Sequence, residues 1–150
     1  NSVRRLTLFR FRARVDFAVL DEGQTIDEAI LVENGYPWIG KAQSEQFTPH
    51  MLNLELLDAI SLEKGCYTGQ EIVARTHYKG ATKRRMLRFE ASEPVAEGDK
   101  VQVDGRDVGD VLNVAGTELL AVVPSDKADD ALTAGSTDLR RLPLAYLETN

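Results

Sequence analysis

The segment 64–71, with the sequence KGCYTGQE, has the residue types in this chain that are best suited to chemistry. It contains Cys66, the only cysteine among the 150 residues. Thr68 and Glu71 are spaced as a capping box, in which each side chain accepts a hydrogen bond from the other residue's backbone N–H. We therefore expect a helix with Thr68 as its N-cap, covering about residues 69–78.

Two interpretations of Cys66 follow from this position. A thiol close to a helix start lies near unpaired N–H groups and the positive end of the helix dipole, where it can react as a thiolate. The alternative is that Cys66 packs as a small buried apolar residue, since free cysteines are among the most buried residue types. The spacing of the residues leaves both interpretations open.

The basic residues are concentrated in two stretches, although the formal net charge is −6. Residues 1–15 hold five arginines and no acid, and residues 75–88 hold six basic residues and no acid. Together these are 11 of the 18 lysines and arginines. This distribution favours a focused anion site over general coating of nucleic acid. The alternative is that both stretches are solvated faces of a helix and a strand.

The composition, with 43% hydrophobic and 28% charged residues, predicts an ordinary globular protein. No apolar run approaches the roughly 20 residues that a membrane span needs, so we expect no membrane association. The arginines at positions 4 and 5 lead into further arginines, which is not the pattern of a signal peptide. A single cysteine excludes an internal disulfide and fits a reducing, cytoplasmic compartment.

The first 81 residues predict an α+β segment. A capping box at Thr25 and Glu28 predicts a helix over about 26–34, which Gly35 and Pro37 would end. Residues 3–12 fit a helical spacing and, from Phe9 onward, also a strand-like alternation; a short helix that gives way to a strand at about 13–20 is favoured. The remaining expected elements are a loop at 36–50 and a short helix or turn at 51–60.

From residue 82 onward, apolar and polar residues alternate as in β-strands. Asp104 and Gly105 predict a two-residue hairpin turn between strands at 101–103 and 106–114. Further strands are expected at 119–123 and 139–142, the second limited to a sheet edge or end by Pro143, with a polar connection at 126–134 between them. Several short strands indicate a small antiparallel barrel or sandwich. The predicted domains are therefore 1–81 and 82–150.

The segment 64–71, with Arg75 four residues beyond it, resembles the signature of the YgfZ family. These folate-binding proteins are related to the aminomethyltransferase, or T-protein, of the glycine cleavage system. Residues 33–37 resemble the family's E-x-G-x-P segment, and residues 142–146 resemble its LPY-like tail. The resemblance covers nearly the whole chain and corresponds to the C-terminal half of a family member.

This resemblance implies an α+β fold in which the end of a folate-binding core is followed by a small antiparallel β-barrel. It implies tetrahydrofolate as the ligand and a role in making or repairing iron–sulfur clusters in client enzymes. A tRNA-thiolating enzyme is among such clients, so tRNA would be reached only indirectly.

The resemblance also suggests roles for particular residues. Glu33 lies where T-proteins use a glutamate to hold the pterin ring, and a carboxylate can accept two hydrogen bonds from the ring's amino-pyrimidine edge. Cys66 becomes a candidate functional thiol, as a nucleophile or as a transient iron or sulfur ligand. One cysteine cannot hold a cluster alone, so glutathione, a second chain or a client would have to complete it. Candidate folate or anion contacts are Lys64, Tyr67, Gln70 and Arg75.

Two further side chains have competing interpretations. Trp38 could stack on a pterin, as could Tyr67, although core packing is the more common fate of aromatic residues. His77 could act in acid–base chemistry, but without a visible partner we interpret it as a polar residue on the helix.

Three hypotheses for function remain at this stage. The first is a largely non-enzymatic, YgfZ-like factor that supports iron–sulfur enzymes and, through them, tRNA modification. The second is a folate-dependent one-carbon transferase similar to T-protein. The third is an interaction module that docks a client protein or tRNA.

Overall fold

A closed antiparallel β-barrel is the centre of the computed structural model, which describes residues 27–61, 65–66, 69–80 and 82–148. Its six strands are β1 (Arg84–Ala91), β2 (Lys100–Val103), β3 (Arg106–Ala115), β4 (Glu118–Pro124), β5 (Leu132–Ala134) and β6 (Thr137–Leu142). They follow the order β1-β4-β3-β2-β5-β6, and β6 pairs back with β1 to close the barrel. The barrel predicted for the second part of the chain is therefore confirmed.

Within the part of the chain that the structure describes, three helices accompany the barrel. They are α1 (Glu28–Asn34), α2 (Gln70–Lys79) and α3 (Ala145–Glu148), with 3₁₀ turns at Lys41–Gln43 and Ser125–Lys127. No helix within the described residues is long and apolar enough to cross a membrane.

The hairpin between β2 and β3 turns at Asp104 and Gly105, as predicted. Both residues have positive φ angles, 49° and 74°. A tight turn with two left-handed residues matches the twist of the flanking strands, which is why Asp-Gly is favoured there.

Strand β4 is buried on both faces. Leu119, Ala121 and Val123 pack inside the barrel, while Leu120 and Val122 point to the outside. The outward residues are nevertheless fully buried, because residues 27–60 cover this side of the barrel. A strand with two buried faces explains why β4 is a continuous apolar run rather than an alternating one.

The outer layer and the barrel share a second apolar cluster. Val32 of α1 and Leu52 pack there against Met86, Leu112 and Leu120 of the barrel. A β-bulge in β3 lies between Val111 and Asn113, so Leu112 and Asn113 both face the outer layer although they are consecutive. This bulge allows one strand to supply an apolar and a polar contact to the same neighbour.

One prediction about the barrel is wrong. The connection expected at 126–134 contains a fifth strand, β5, which pairs with both β2 and β6. Strand β6 ends at Leu142, directly before Pro143, so the strand end is the predicted alternative that is found; β6 has neighbours on both sides and is not an edge strand. Closure of the barrel removes every edge, which a local pattern does not reveal.

The helix α1 differs from its prediction at its start. Asp27 is its N-cap, and the Asp27 side chain accepts a hydrogen bond from the Ala29 N–H at 3.0 Å. Thr25 was expected in that role and lies outside the described residues, as do the helix and strand predicted before residue 21. The predicted stop is confirmed, since Gly35 adopts a left-handed conformation with φ 69°. The division into domains near residue 81 stays a prediction.

Candidate functional site

Cys66 is exposed and precedes the start of α2 by four residues. The interpretation of Cys66 as a buried apolar residue is therefore wrong. The N-cap position of α2 is occupied by Gly69, with φ 83° and no capping side chain, so the helix begins one residue later than the Thr68 capping box predicts. Thr68 itself lies outside the described residues. A left-handed N-cap favours glycine, which explains the residue at position 69.

Helix α2 packs through one side and exposes the other. Val73 is buried, whereas Ile72 and Tyr78 are 59% and 73% exposed. Arg75 is exposed as well and makes no ion pair within the described part of the chain. Gln70, the first residue of the helix, is half-buried. Of the predicted contact residues, Gln70 and Arg75 thus share a helix that follows directly after Cys66.

Glu33 lies near the end of α1 with an exposed side chain. Its backbone carbonyl accepts a hydrogen bond from Arg88 Nη1 at 3.3 Å. The same guanidinium binds Glu118 through Nε and Nη2, at 2.9 and 2.6 Å. Strand β1 therefore anchors the backbone at this position, while the Glu33 carboxylate is left to solvent.

A buried polar network connects α1 with the end of the chain. The Tyr146 hydroxyl donates to the Gly35 carbonyl at 3.2 Å and accepts from Asn53 Nδ2 at 3.2 Å. Asn53 is fully buried, donates to the Met86 carbonyl at 2.7 Å and accepts from Arg85 Nη1 at 3.1 Å. Burial raises the pKa of Tyr146 above its ordinary value of 10.0. The network fixes the segment that carries Glu33 relative to the barrel.

The predicted basic stretch 75–88 is largely neutralised on its strand side. Arg84 pairs with Asp110 at 2.9 Å, Arg85 with Glu55 at 2.7 Å, and Arg88 with Glu118. These arginines therefore stabilise the barrel and its outer layer, and the expectation that the whole stretch faces an anion is wrong for them. Their acidic partners lie 26, 30 and 30 residues away in sequence, respectively, so no local pattern identifies them.

Asp110 of β3 binds two cations, Lys100 on the neighbouring strand β2 and Arg84 on β1, which lies beyond β4. Burial alone would raise its pKa, but hydrogen bonds from Lys100 and Arg84 outweigh burial and lower the pKa below the ordinary 3.8. The hydrogen bond to Asp110 in turn raises the pKa of Lys100. This carboxylate is thus held ionised as a structural link between β1, β2 and β3.

Trp38 packs against the outer apolar cluster and is held by Asn113. The backbone N–H of Trp38 donates to Asn113 Oδ1 at 3.1 Å, and Asn113 Nδ2 donates to the backbone carbonyl of Trp38 at 2.9 Å. The position of Trp38 against this cluster is the core packing that we interpreted as the more common fate of such a residue. Sequence reasoning missed Asn113 and Asn53, although a single asparagine inside an apolar run is a signal of a buried polar contact.

His50 is 3% exposed, and its Nε2 has no hydrogen-bond partner within the described structure. Its ring centroid lies 6.3 Å from that of His77, which is exposed on α2. His77 in turn contacts Tyr78 edge-on, at 5.1 Å between centroids. His77 is thus a polar residue on the helix surface, as interpreted from the sequence.

The structure describes only some of the residues of the predicted site. Lys64 and Tyr67 lie outside them. Within the described ranges, no group of three or more histidine, cysteine, aspartate or glutamate side chains is placed to hold a metal ion. Three clefts lined by described residues lie along the barrel and α3, and Glu33, Cys66 and Arg75 line none of these three.

Known proteins share both the barrel and the segment before it. The family model of the CAF17 C-terminal β-barrel domain matches residues 83–144, which span β1 to β6. A tRNA-modifying protein YgfZ from Sodalis glossinidius (strain morsitans) is 40% identical over 137 residues, covering 80% of this chain and 42% of the relative. The chain belongs to the YgfZ family. It corresponds to the C-terminal half of a family member, as the signature at 64–71 indicated.

Two further YgfZ relatives give the same assignment. Proteins of this name from Serratia proteamaculans (strain 568) and Yersinia pestis (strain Pestoides F) are 42% and 41% identical over 108 and 100 residues. Each alignment covers 65% of this chain and 33% or 29% of the relative. The chain therefore spans less than half the length of the curated relatives it matches.

Proposed function

We propose that this chain is the C-terminal part of a YgfZ-like factor in tRNA modification, which supports the assembly or repair of iron–sulfur clusters in client enzymes. Its relatives are named as tRNA-modifying proteins, which supports the role in tRNA modification. The second part of the proposal, the iron–sulfur role, rests on Cys66.

The observation that carries the proposal is the exposure of Cys66 directly before α2. An exposed thiol is accessible to another protein, whereas a buried structural cysteine is inert. Because one thiolate cannot hold a cluster, Cys66 acts together with a thiol of the client or of glutathione. The chain thereby serves as an accessory surface for another enzyme rather than as an enzyme in its own right.

The test replaces Cys66 with serine in the full-length protein, in cells that lack their own YgfZ protein. The activity of an iron–sulfur tRNA-thiolating enzyme is followed through the thiolated nucleoside content of tRNA. We expect Cys66→Ser to lower this content, while the exposed control Ser44→Ala leaves it unchanged. Full activity of Cys66→Ser would refute the role of the thiol.

Tetrahydrofolate is the proposed ligand, with Glu33 as its candidate pterin contact. The donor chemistry fits, because the Glu33 carboxylate is exposed and can accept two hydrogen bonds from an amino-pyrimidine edge. Its backbone is fixed by Arg88, which limits the cost of ordering the side chain on binding. When bound, the folate would supply one-carbon or pterin redox chemistry.

Calorimetry with tetrahydrofolate on the full-length protein tests this ligand assignment independently of the thiol. We expect Glu33→Gln to weaken binding about tenfold or more, since hydrogen bonds to a charged group contribute about 1.5–3 kcal/mol. Glu28→Gln, an exposed substitution one turn and a half earlier on α1, is the matched control. Equal affinity of the wild type and Glu33→Gln would remove Glu33 from the site.

A further inference from the structure

The exposed side of α2 carries an aromatic ring and a cation, Tyr78 and Arg75, which are here called the α2 surface. Tyr78 is 73% exposed. Arg75 lies three residues before it and therefore on the same side of the helix. The buried Val73 lies on the opposite side, so the helix is held by Val73 and presents the α2 surface to solvent.

The Tyr78 ring is positioned as well as exposed. His77 contacts it edge-on, with the ring planes at 89° and the centroids 5.1 Å apart. Edge-to-face contact is a favourable arrangement of aromatic rings. It leaves the large exposed area of Tyr78 available to a flat partner.

We propose that the α2 surface binds single-stranded RNA, with a base stacked on Tyr78 and a phosphate bound by Arg75. Unpaired bases stack on exposed aromatic side chains, and this contact tolerates any base. A guanidinium binds phosphate through paired hydrogen bonds. The two side chains are one helical turn apart, which suits contacts to one nucleotide and its own phosphate.

The charge distribution concentrates this attraction on α2. Arg84, Arg85 and Arg88 are neutralised by acidic side chains, whereas Arg75 has no ion-pair partner within the described ranges. The net charge of −6 opposes general coating of the chain by nucleic acid. Binding is therefore local, weak and dependent on salt.

This inference goes beyond the proposed function, in which tRNA is reached through a client enzyme. It requires neither Cys66 nor folate. A failure of RNA binding would thus leave the proposed function standing, and the reverse also holds.

The test measures the fluorescence anisotropy of a fluorescein-labelled oligouridine titrated with this chain. Tyr78→Ala should weaken binding about tenfold, because stacking contributes about 1–3 kcal/mol per base, and Tyr78→Phe should retain it. Arg75→Ala should reduce the slope of log affinity against log salt by about one.

Two exposed residues outside the α2 surface provide matched controls, Tyr36→Ala and Arg106→Ala. Both should bind oligouridine as the wild type does, and circular dichroism confirms that each variant is folded. The proposal is overturned by absent binding at about 50 mM salt, or by equal losses in Tyr78→Ala and Tyr36→Ala. Binding that salt does not weaken would also overturn it, since a phosphate bound by Arg75 must lose affinity as the salt concentration rises.

Discussion

The Tyr146 hydroxyl and the Gly35 carbonyl form a hydrogen bond of 3.2 Å between residues that are 111 positions apart. The ring lies so close that a Cβ added at Gly35 would be 2.6 Å from the hydroxyl oxygen. Gly35 therefore has two reasons to be glycine: its left-handed backbone and its contact with Tyr146. The segment bearing Glu33 is joined to the end of the chain through this pair.

Gly35→Ala should lower the free energy of unfolding by about 2–4 kcal/mol, because the left-handed conformation costs about 1–2 kcal/mol and the overlap with Tyr146 adds to it. Urea unfolding measures the change. Gly116→Ala is the matched control, since Gly116 has φ 67° but open space around the added carbon. Similar losses in both variants would show that the Tyr146 contact adds nothing.

The hydroxyl of Tyr146 should make stability depend on alkaline pH. Because burial raises its pKa in the folded state, the unfolded chain loses this proton first as pH rises. The advantage of the wild type over Tyr146→Phe is then fully present below about pH 10 and is lost as pH rises through the folded pKa. Unfolding of both proteins between about pH 8 and pH 11 checks this; an advantage that grows with pH would contradict it.

The contribution of Asp110 to stability should depend on pH in the opposite direction. Its pKa is lowered on folding, so its contribution is present above the unfolded value of 3.8 and is lost as pH falls through the folded pKa. Asp110→Asn should cost about 1–2 kcal/mol near neutral pH and little in strong acid. The exposed Asp138→Asn serves as the control. A loss that is equal at neutral and acidic pH would rule out the ion pairs as its cause.

Asn53 combines a left-handed backbone, with φ 58°, and a fully buried hydrogen-bonding side chain. Asn53→Ala should cost about 3–5 kcal/mol, since it removes the side-chain donor of the Met86 carbonyl and one of the two acceptors of Arg85, and keeps the strained backbone. Asn53→Gly removes the same side chain but tolerates the backbone, so it should be about 1 kcal/mol less harmful. Thermal unfolding of the two variants separates the cost of the lost hydrogen bonds from the cost of the strained backbone. An Asn53→Gly variant less stable than Asn53→Ala would refute this account.

Local patterns predicted the elements that have local causes. The Asp104-Gly105 turn, the stop of α1 at Gly35 and the extent of α2 follow from turn and capping chemistry near each residue. The predicted N-cap of α1 was Thr25, whereas Asp27, two residues later, is the N-cap in the structure. A capping-box pattern does not exclude a second capping residue close by, so it does not fix the first residue of the helix.

The parts that failed depend on distant partners. Strand β5 has three residues and exists through pairing with β2 and β6. The arginines of β1 looked like an anion site because Asp110, Glu55 and Glu118 are separated from them in sequence. The exposure of Cys66 was likewise undecided until the fold was known.

Strand β4 has no solvent side, and this determines how the chain can be divided. A barrel excised as residues 83–144 alone would expose Met86, Leu112, Leu120 and Val122, which residues 27–60 cover. Such an apolar strip on one flank is the kind of surface that drives aggregation. The smallest piece able to stay in solution as a folded unit should therefore begin no later than α1.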